Sequence, residues 1–281
     1  MTILVTGGSL GIGYAIAKKC VQEGATVIIV ARNQNHLEES LGALRSLSPK
    51  PHRSYSLDVG NVQAVQELAH WIRHQDVELN GLVNCAGILG PIGKTTTIDV
   101  HEFAETVQTN FLGTVYMCQA LAPLLKSRTR KKIVNCSGGG GSFPFPPYSA
   151  YAARKVAIVR FTENLALELA TDDFDVNCIA PGFVLTRLHQ ETIAAGPEKA
   201  GETYFEKTKK HMESGGVPAE HAADLTAFLL SPDADGITGK YISAGWDPWQ
   251  QEDFQTRLRT DKDFATLRRI DDQRFFKKDV S

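Results

Sequence analysis

Along the chain, short β-branched and aliphatic runs alternate with longer stretches in which apolar residues recur every three or four positions. The short runs, at 3–6, 26–31, 54–58, 81–84, 132–136, 175–179 and 240–243, have the length and composition of strands. The stretches at 12–23, 37–47, 62–73, 101–126, 150–170 and 219–230 have helical spacing. Several strands are apolar at consecutive positions, as expected when helices cover both faces of a sheet. This alternation predicts an α/β fold: one doubly wound parallel sheet of about seven strands flanked by helices. Two segments depart from it. Residues 182–216 are polar and interrupted by Gly196, Pro197, Gly201 and Gly215, with weak helical spacing at 199–211, which reads as a lid or binding insertion. From Trp246 onward the chain is charged, with scattered apolar groups. The expected division is therefore a body over 1–245 and a C-terminal extension, arm or lid, over 246–281.

Bulk properties narrow the function. The 281 residues are 42% apolar and 22% charged, enough to build a core. A formal net charge of -2 gives no bulk attraction to nucleic acid or anionic lipid. No run approaches the roughly 20 apolar residues that span a bilayer, and the N-terminus lacks the basic start of a secretory signal. The five cysteines, odd in number and set in apolar runs, read as reduced thiols and not as a disulfide frame or metal site. Together these features predict a cytoplasmic enzyme without nucleic-acid or membrane partners.

The chemistry begins after the first strand. Thr6-Gly-Gly-Ser-Leu-Gly-Ile-Gly13 runs directly into the first helix, so Gly7, Ser9, Leu10, Gly11, Ile12 and Gly13 form a dinucleotide-type turn. Glycines permit a tight turn and close backbone approach, and a pyrophosphate then meets free N–H groups at the helix start. At the end of the second strand stands Arg32, where an acidic residue would select the free ribose hydroxyl of NAD. A cation suits a 2′-phosphate, so NADP(H) is favoured over NAD(H). Further on, Tyr151 and Lys155 lie four apart on one helix face. A phenol is a poor acid–base catalyst at neutral pH until a cation stabilises its anion.

Taken with Asp58-Val59, Asn84-Cys-Ala-Gly87, Asn110 and Pro181-Gly182, these residues occur in the order of the short-chain dehydrogenase/reductase family, in its shorter single-domain branch. The resemblance covers residues 1–245 and implies a Rossmann-type domain that assembles as a homodimer or homotetramer. It also implies roles. Tyr151 is the general acid and base, Lys155 lowers its pKa and holds the nicotinamide ribose, and Asn110 anchors a water leading to Lys155. Asp58 and Val59 contact adenine, Asn84, Ala86 and Gly87 line the cofactor channel, and Pro181, Gly182, Val184 and Thr186 embrace the carboxamide. One family residue is missing: the substrate-orienting serine falls at Gly138, whether counted back from Tyr151 or forward from the fifth strand. Ser137 is the candidate replacement, with Ser142 a second.

The substrate end is less defined. Residues 142–148 are apolar and carry three prolines, while the insertion carries Arg187, His189, Lys207, Lys209, Lys210 and His211. That mixture suits a small polar substrate with an anionic handle, such as a sugar- or nucleotide-like molecule. In the extension, Phe254, Leu258, Phe264, Leu267 and Ile270 are spaced to dock on the body or on a neighbouring subunit, and Arg268 and Arg269 are candidate anion contacts. Two other readings stand beside ketone–alcohol interconversion. One is a non-catalytic dinucleotide sensor or scaffold, which Gly138 favours; the other is an epimerase or dehydratase of sugars that retains its cofactor.

Overall fold

A computed structural model of the chain describes residues 1–75, 77–127 and 129–270. Seven strands form one all-parallel sheet in the order β3-β2-β1-β4-β5-β6-β7. They are β1 (Thr2–Thr6), β2 (Thr26–Ala31), β3 (Arg53–Ser56), β4 (Gly81–Asn84), β5 (Lys131–Cys136), β6 (Phe174–Ala180) and β7 (Tyr241–Ser243). Strand order reverses at β1, which lies between β2 and β4. In open α/β sheets that reversal opens a crevice at the carboxyl ends of the strands, where ligands bind.

Side-chain alternation assigns each strand's residues to two buried layers. Ile3, Val5, Val27 and Ile29 face a core shared with α1 (Gly11–Gln22), α2 (Gln34–Leu47) and α9 (Ala219–Leu230). Leu4, Ile28, Val30 and Leu82 face the other core, with α3 (Val62–His74), α5 (Gly113–Leu121) and α6 (Ser149–Glu168). Helices on both faces explain why these strands are apolar at every position.

The single helix expected over 101–126 is divided. α4 (Val100–Val107) passes through a π turn (Gln108–Leu112) into α5, and a 3-10 turn (Ala122–Leu124) ends the segment. Gly113 lets the helix approach Val59, since a Cβ there would stand 2.8 Å from the valine side chain. The insertion is also more ordered than its polarity suggests: it forms α7 (Arg187–Ala200) and α8 (Glu202–Ser214), hinged at Gly201 (φ 79°) and kinked at Gly196 (φ 77°).

The extension lies against the body. α10 (Glu252–Thr260) buries Leu258, and Trp249 joins the core beside α9. Burying two such side chains contributes about 1.5–3 kcal/mol each. The Tyr241 N–H, on the free edge of β7, donates to the Ala265 carbonyl at 2.7 Å, so the arm covers an edge otherwise open to pairing. Lys240 Nζ donates to the carbonyls of Asp261 (2.6 Å) and Phe264 (3.0 Å). Glu163 of α6 accepts from Leu267 N–H and from Arg268, both at 2.9 Å. Two expectations change here: Ile270 is exposed, and Arg268 is held by Glu163 and Asp263. Phe275 and Phe276 lie outside the described residues. Among those described, no helix is long and apolar enough to cross a membrane.

Candidate active site

The turn between β1 and α1 is constrained by backbone. Gly7 (φ 67°) and Gly11 (φ 54°) are left-handed, and a Cβ on Gly13 would stand 2.2 Å from the Gly7 carbonyl oxygen. α1 begins at Leu10 without a side-chain cap, and its first turn holds no acidic residue. Its first N–H groups thus lack a side-chain acceptor and suit a pyrophosphate. Thr6 Oγ1 accepts from the N–H groups of Cys85 (3.0 Å) and Ala86 (3.1 Å), tying this turn to the end of β4. Ser40 Oγ donates to the Ser9 carbonyl at 2.7 Å, and Ile12 lines the cavity beyond. Gly11 faces Thr186 across the crevice, where an added Cβ would lie 3.5 Å from the threonine methyl.

Arg32 and Asp58 stand together on the open rim at 3.8 Å, each about half exposed. A loose surface pair of this kind is worth about 1 kcal/mol or less, so a doubly charged phosphate competes for the guanidinium. Val59 is buried against Gly113. Asn84 departs from expectation: its amide donates to Asn135 Oδ1 at 2.9 Å inside the sheet, and the residue does not line the cavity. Cys85, Ala86 and Gly87 do line it, as do Pro181, Gly182, Val184 and Thr186 beyond β6.

These walls enclose a cavity of about 900 Å³. Tyr151 and Lys155 reach it from the first turns of α6. Lys155 is 6% exposed, and Nζ donates to the Cys136 carbonyl at 3.0 Å. Burial, then the charge of Arg154, pulls its ammonium down to about 7. Burial pushes the Tyr151 phenol above its ordinary value, and Arg154 opposes that rise. Asn110, fully buried in the π turn, clamps the backbone of Ile88: Oδ1 accepts from its N–H at 2.7 Å and Nδ2 donates to its carbonyl at 2.9 Å. π turns often mark functional positions, and here the extra residue aims this amide at the loop after β4.

Gly138 is where a substrate-orienting hydroxyl is missing. A Cβ built there would lie 3.3 Å from Tyr151 Oη and 3.7 Å from Lys155 Cε. Ser137 lines the cavity, and its buried hydroxyl donates to the Lys155 carbonyl at 2.9 Å. Ser142 lies on the exposed lip of the cavity.

Three contributors were not anticipated. Arg154, 3% exposed, has its guanidinium carbon 4.3 Å from the centre of the Tyr151 ring. Tyr241 of β7 donates its hydroxyl to the Gly138 carbonyl at 2.6 Å and so fixes the glycine loop. Tyr204 of α8 packs edge-on against Phe145 at 4.7 Å. The helical placement of Arg154, one residue before Lys155, was the only signal available in the sequence. Of the lid's basic residues, His189 and Lys207 line the cavity, whereas Arg187 pairs with Glu191 at 3.0 Å. His189 Nδ1 accepts the Thr186 N–H at 3.2 Å, and burial lowers its pKa to about 4. At neutral pH it is therefore uncharged.

A parallel sheet with a glycine turn at its switch point, and a tyrosine–lysine pair opening on the same crevice, defines a dinucleotide-linked oxidoreductase. Comparison with known proteins agrees. The family model described as short chain dehydrogenase matches residues 1–196. The chain is 34% identical over 244 residues to a tropinone reductase homolog from Datura stramonium, covering 86% of this chain and 89% of that one. Among solved structures, a short chain dehydrogenase from Shigella flexneri complexed with NADP superposes with a TM-score of 0.74 at 28% identity. That match covers 86% of this chain and 96% of the other. An NAD+-bound xylitol dehydrogenase gives a TM-score of 0.78 at 26% identity, covering 86% and 96%. The protein belongs to the short-chain dehydrogenase/reductase family and is an oxidoreductase of CH–OH groups.

Proposed function

We propose that the chain uses NADP(H) to interconvert a ketone and a secondary alcohol on a compact, largely apolar ring substrate, with Tyr151 as general acid and base. The observation that carries this reading is the Tyr151–Lys155 pair facing one cavity with the uncapped start of α1. Bound along that crevice, the nicotinamide cofactor supplies or accepts the hydride. Every other task falls to the chain. The first N–H groups of α1 hold the pyrophosphate, and Arg32 at the rim takes the 2′-phosphate. Asp58 and Val59 flank the adenine, and the segment from Pro181 to Thr186 borders the nicotinamide. In reduction, Tyr151 gives its proton to the oxygen that becomes the alcohol; in oxidation it takes that proton back. Lys155 supports the phenolate, and Asn110 keeps the loop after β4 in place around them.

The walls favour a hydrocarbon ring over a polyhydroxylated sugar. Phe143, Phe145, Leu188 and Tyr204 line the cavity that Tyr151 faces, and Lys207 of α8 contributes a cation to its wall. The wall is mainly apolar, with polar groups brought to it by Tyr151, Lys155, His189 and Lys207, the usual form of a small-molecule site. The Shigella relative complexed with NADP supports the cofactor assignment. We also infer a homo-oligomer, on the exposed Val156 and Leu167 of α6.

A spectrophotometric survey of cyclic and bicyclic ketones with NADPH and with NADH tests the reading. Turnover of at least one ketone is expected, with higher kcat/KM for NADPH and none in Tyr151→Phe. Equal use of NADH removes the cofactor assignment. Turnover in the phenylalanine variant removes Tyr151 as catalyst. A non-catalytic sensor, favoured by Gly138, remains as the second reading; it requires tight NADPH binding with no ketone turned over.

A further inference from the structure

The cation closest to the face of Tyr151 is not the expected lysine. Arg154 lies one turn along α6, with its guanidinium carbon 4.3 Å from the ring centre, while Lys155 Nζ is 5.4 Å away. Arg154 is 3% exposed, and no carboxylate among the described residues pairs with it. Its one hydrogen bond is long, Nη2 to the Ile88 carbonyl at 3.4 Å, and Nε has no partner. Buried arginines are ordinarily matched to an acid, because an unpaired buried charge is strongly destabilising. Here the groups beside it that can become anionic are the Tyr151 phenol and the thiols of Cys85 and Cys136.

We propose that Arg154 is a positioning residue for the reaction: its guanidinium charge, held over the Tyr151 ring, offsets part of the cost that burial imposes on the phenolate and so eases proton exchange at Tyr151. This rests on Tyr151 being the acid–base group. A cation over an aromatic face is attracted to the ring even when the phenol is neutral. The attraction grows when the phenol ionises, because a full negative charge then forms within a few ångströms in a low-dielectric site. That difference between the two states is what lowers a pKa.

The surroundings explain why a second cation matters here. Burial opposes the phenolate, and together with the charge of Arg154 it draws Lys155 down to about 7, so the lysine loses its charge within the neutral range. Arg154, though drawn down to about 10 by burial, keeps its charge across that range. The other titratable groups facing Tyr151 do not replace it. Cys85 and Cys136, at the ends of β4 and β5, oppose the phenolate if ionised. Tyr204 of α8 and Tyr241 of β7 are phenols that burial holds neutral. The chain also lacks the hydroxyl that a serine at Gly138 would turn toward Tyr151 Oη. A permanently charged neighbour compensates for that lost hydrogen bond.

The test reads the phenol directly and needs no substrate. A difluorinated tyrosine is placed at position 151, which brings the ionisation into an accessible pH range, and fluorine NMR follows its titration. Arg154→Met is expected to raise the pKa at position 151 by one unit or more, a tenfold or greater shift in the ionisation equilibrium. Arg154→Lys is expected to restore part of it. An unchanged titration in Arg154→Met overturns the proposal. Should the methionine chain fail to fold, Arg154→Gln serves in its place with the same two outcomes, since glutamine keeps a donor but not the charge. A merely structural arginine would alter melting temperature and leave the titration where it was. Absence of ketone turnover in the parent chain would remove the catalytic reading without touching this coupling, so the two failures are distinguishable.

Discussion

At the β1–α1 turn nearly every constraint is placed on the backbone. Gly13 leaves no room for a Cβ, Gly7 and Gly11 are left-handed, and the ligand is met by N–H groups that every residue but proline carries. At the far end of the same cavity the constraints are on side chains. There the walls come from α6, α7, α8, β7 and the C-terminal arm, elements more than a hundred residues apart in places. Gly138 illustrates the contrast, since its added Cβ meets only Tyr151 Oη at 3.3 Å and Lys155 Cε at 3.7 Å. A cofactor common to many enzymes is held by a geometry that tolerates little change. The substrate is held by surfaces that can be exchanged one side chain at a time.

If the two ends are this separate, single substitutions should divide cofactor binding from turnover. The largest effect is expected at Tyr151. Tyr151→Phe should take ketone turnover below detection, a loss in kcat of about 100-fold or more, while the NADPH dissociation constant, read by fluorescence titration, stays within about threefold (roughly 0.7 kcal/mol). Parallel loss of both would break the comparison.

Lys155→Met should separate stability from activity. Its ammonium is drawn from 10.5 to about 7, so the folded state releases a proton that the unfolded chain keeps between those values. The unfolded state therefore binds more protons in that window, and the parent's stability rises with pH across it. Below about pH 7 the cost of burying the charge is present in full, with a ceiling of roughly 5 kcal/mol. Methionine carries no such cost. The variant should be inactive yet more stable than the parent at pH 6.5, by an amount that shrinks toward pH 9. Chemical denaturation at the two pH values checks this, and a variant less stable at both contradicts it.

A smaller contrast is expected between two glycines. Gly13→Ala forces a Cβ to within 2.2 Å of a carbonyl oxygen and should cost about 1–3 kcal/mol, with loss of NADPH binding. Gly138→Ala should change stability by about 0.5 kcal/mol or less. A modest effect belongs to the rim. Arg32→Gln should reduce kcat/KM for NADPH by about tenfold, about 1.4 kcal/mol, and leave that for NADH unchanged. A loss for both cofactors would mean that Arg32 acts through the fold and not through the phosphate.

The same distinction governs what could be read in advance. Tyr151 and Lys155 were legible because a four-residue helical spacing is a local fact, and the glycine turn because strand, turn and helix are contiguous. The strand set was legible from apolar runs that helices cover on both sides. The insertion was legible only in part, through the weak helical spacing at 199–211 that became α8; α7 was not, since its face is largely polar, and the order of the pair comes from packing such as Tyr204 against Phe145. The π turn was hidden too, since it exists to let Asn110 reach Ile88 across the fold.

By itself, then, the amino-acid sequence determined the layered α/β architecture, the position of the cofactor turn and the tyrosine–lysine pair. Each depends on periodicity or on neighbours within a few residues. Only the tertiary structure decided that Asn84 serves the sheet, that Ser137 is committed to the Lys155 carbonyl, and that Arg154 lies unpaired against Tyr151. It also decided that the arm seals the β7 edge. Those outcomes depend on which side chains meet after residues distant in the chain have packed. No local pattern encodes them, because burial and charge pairing are properties of the assembled core.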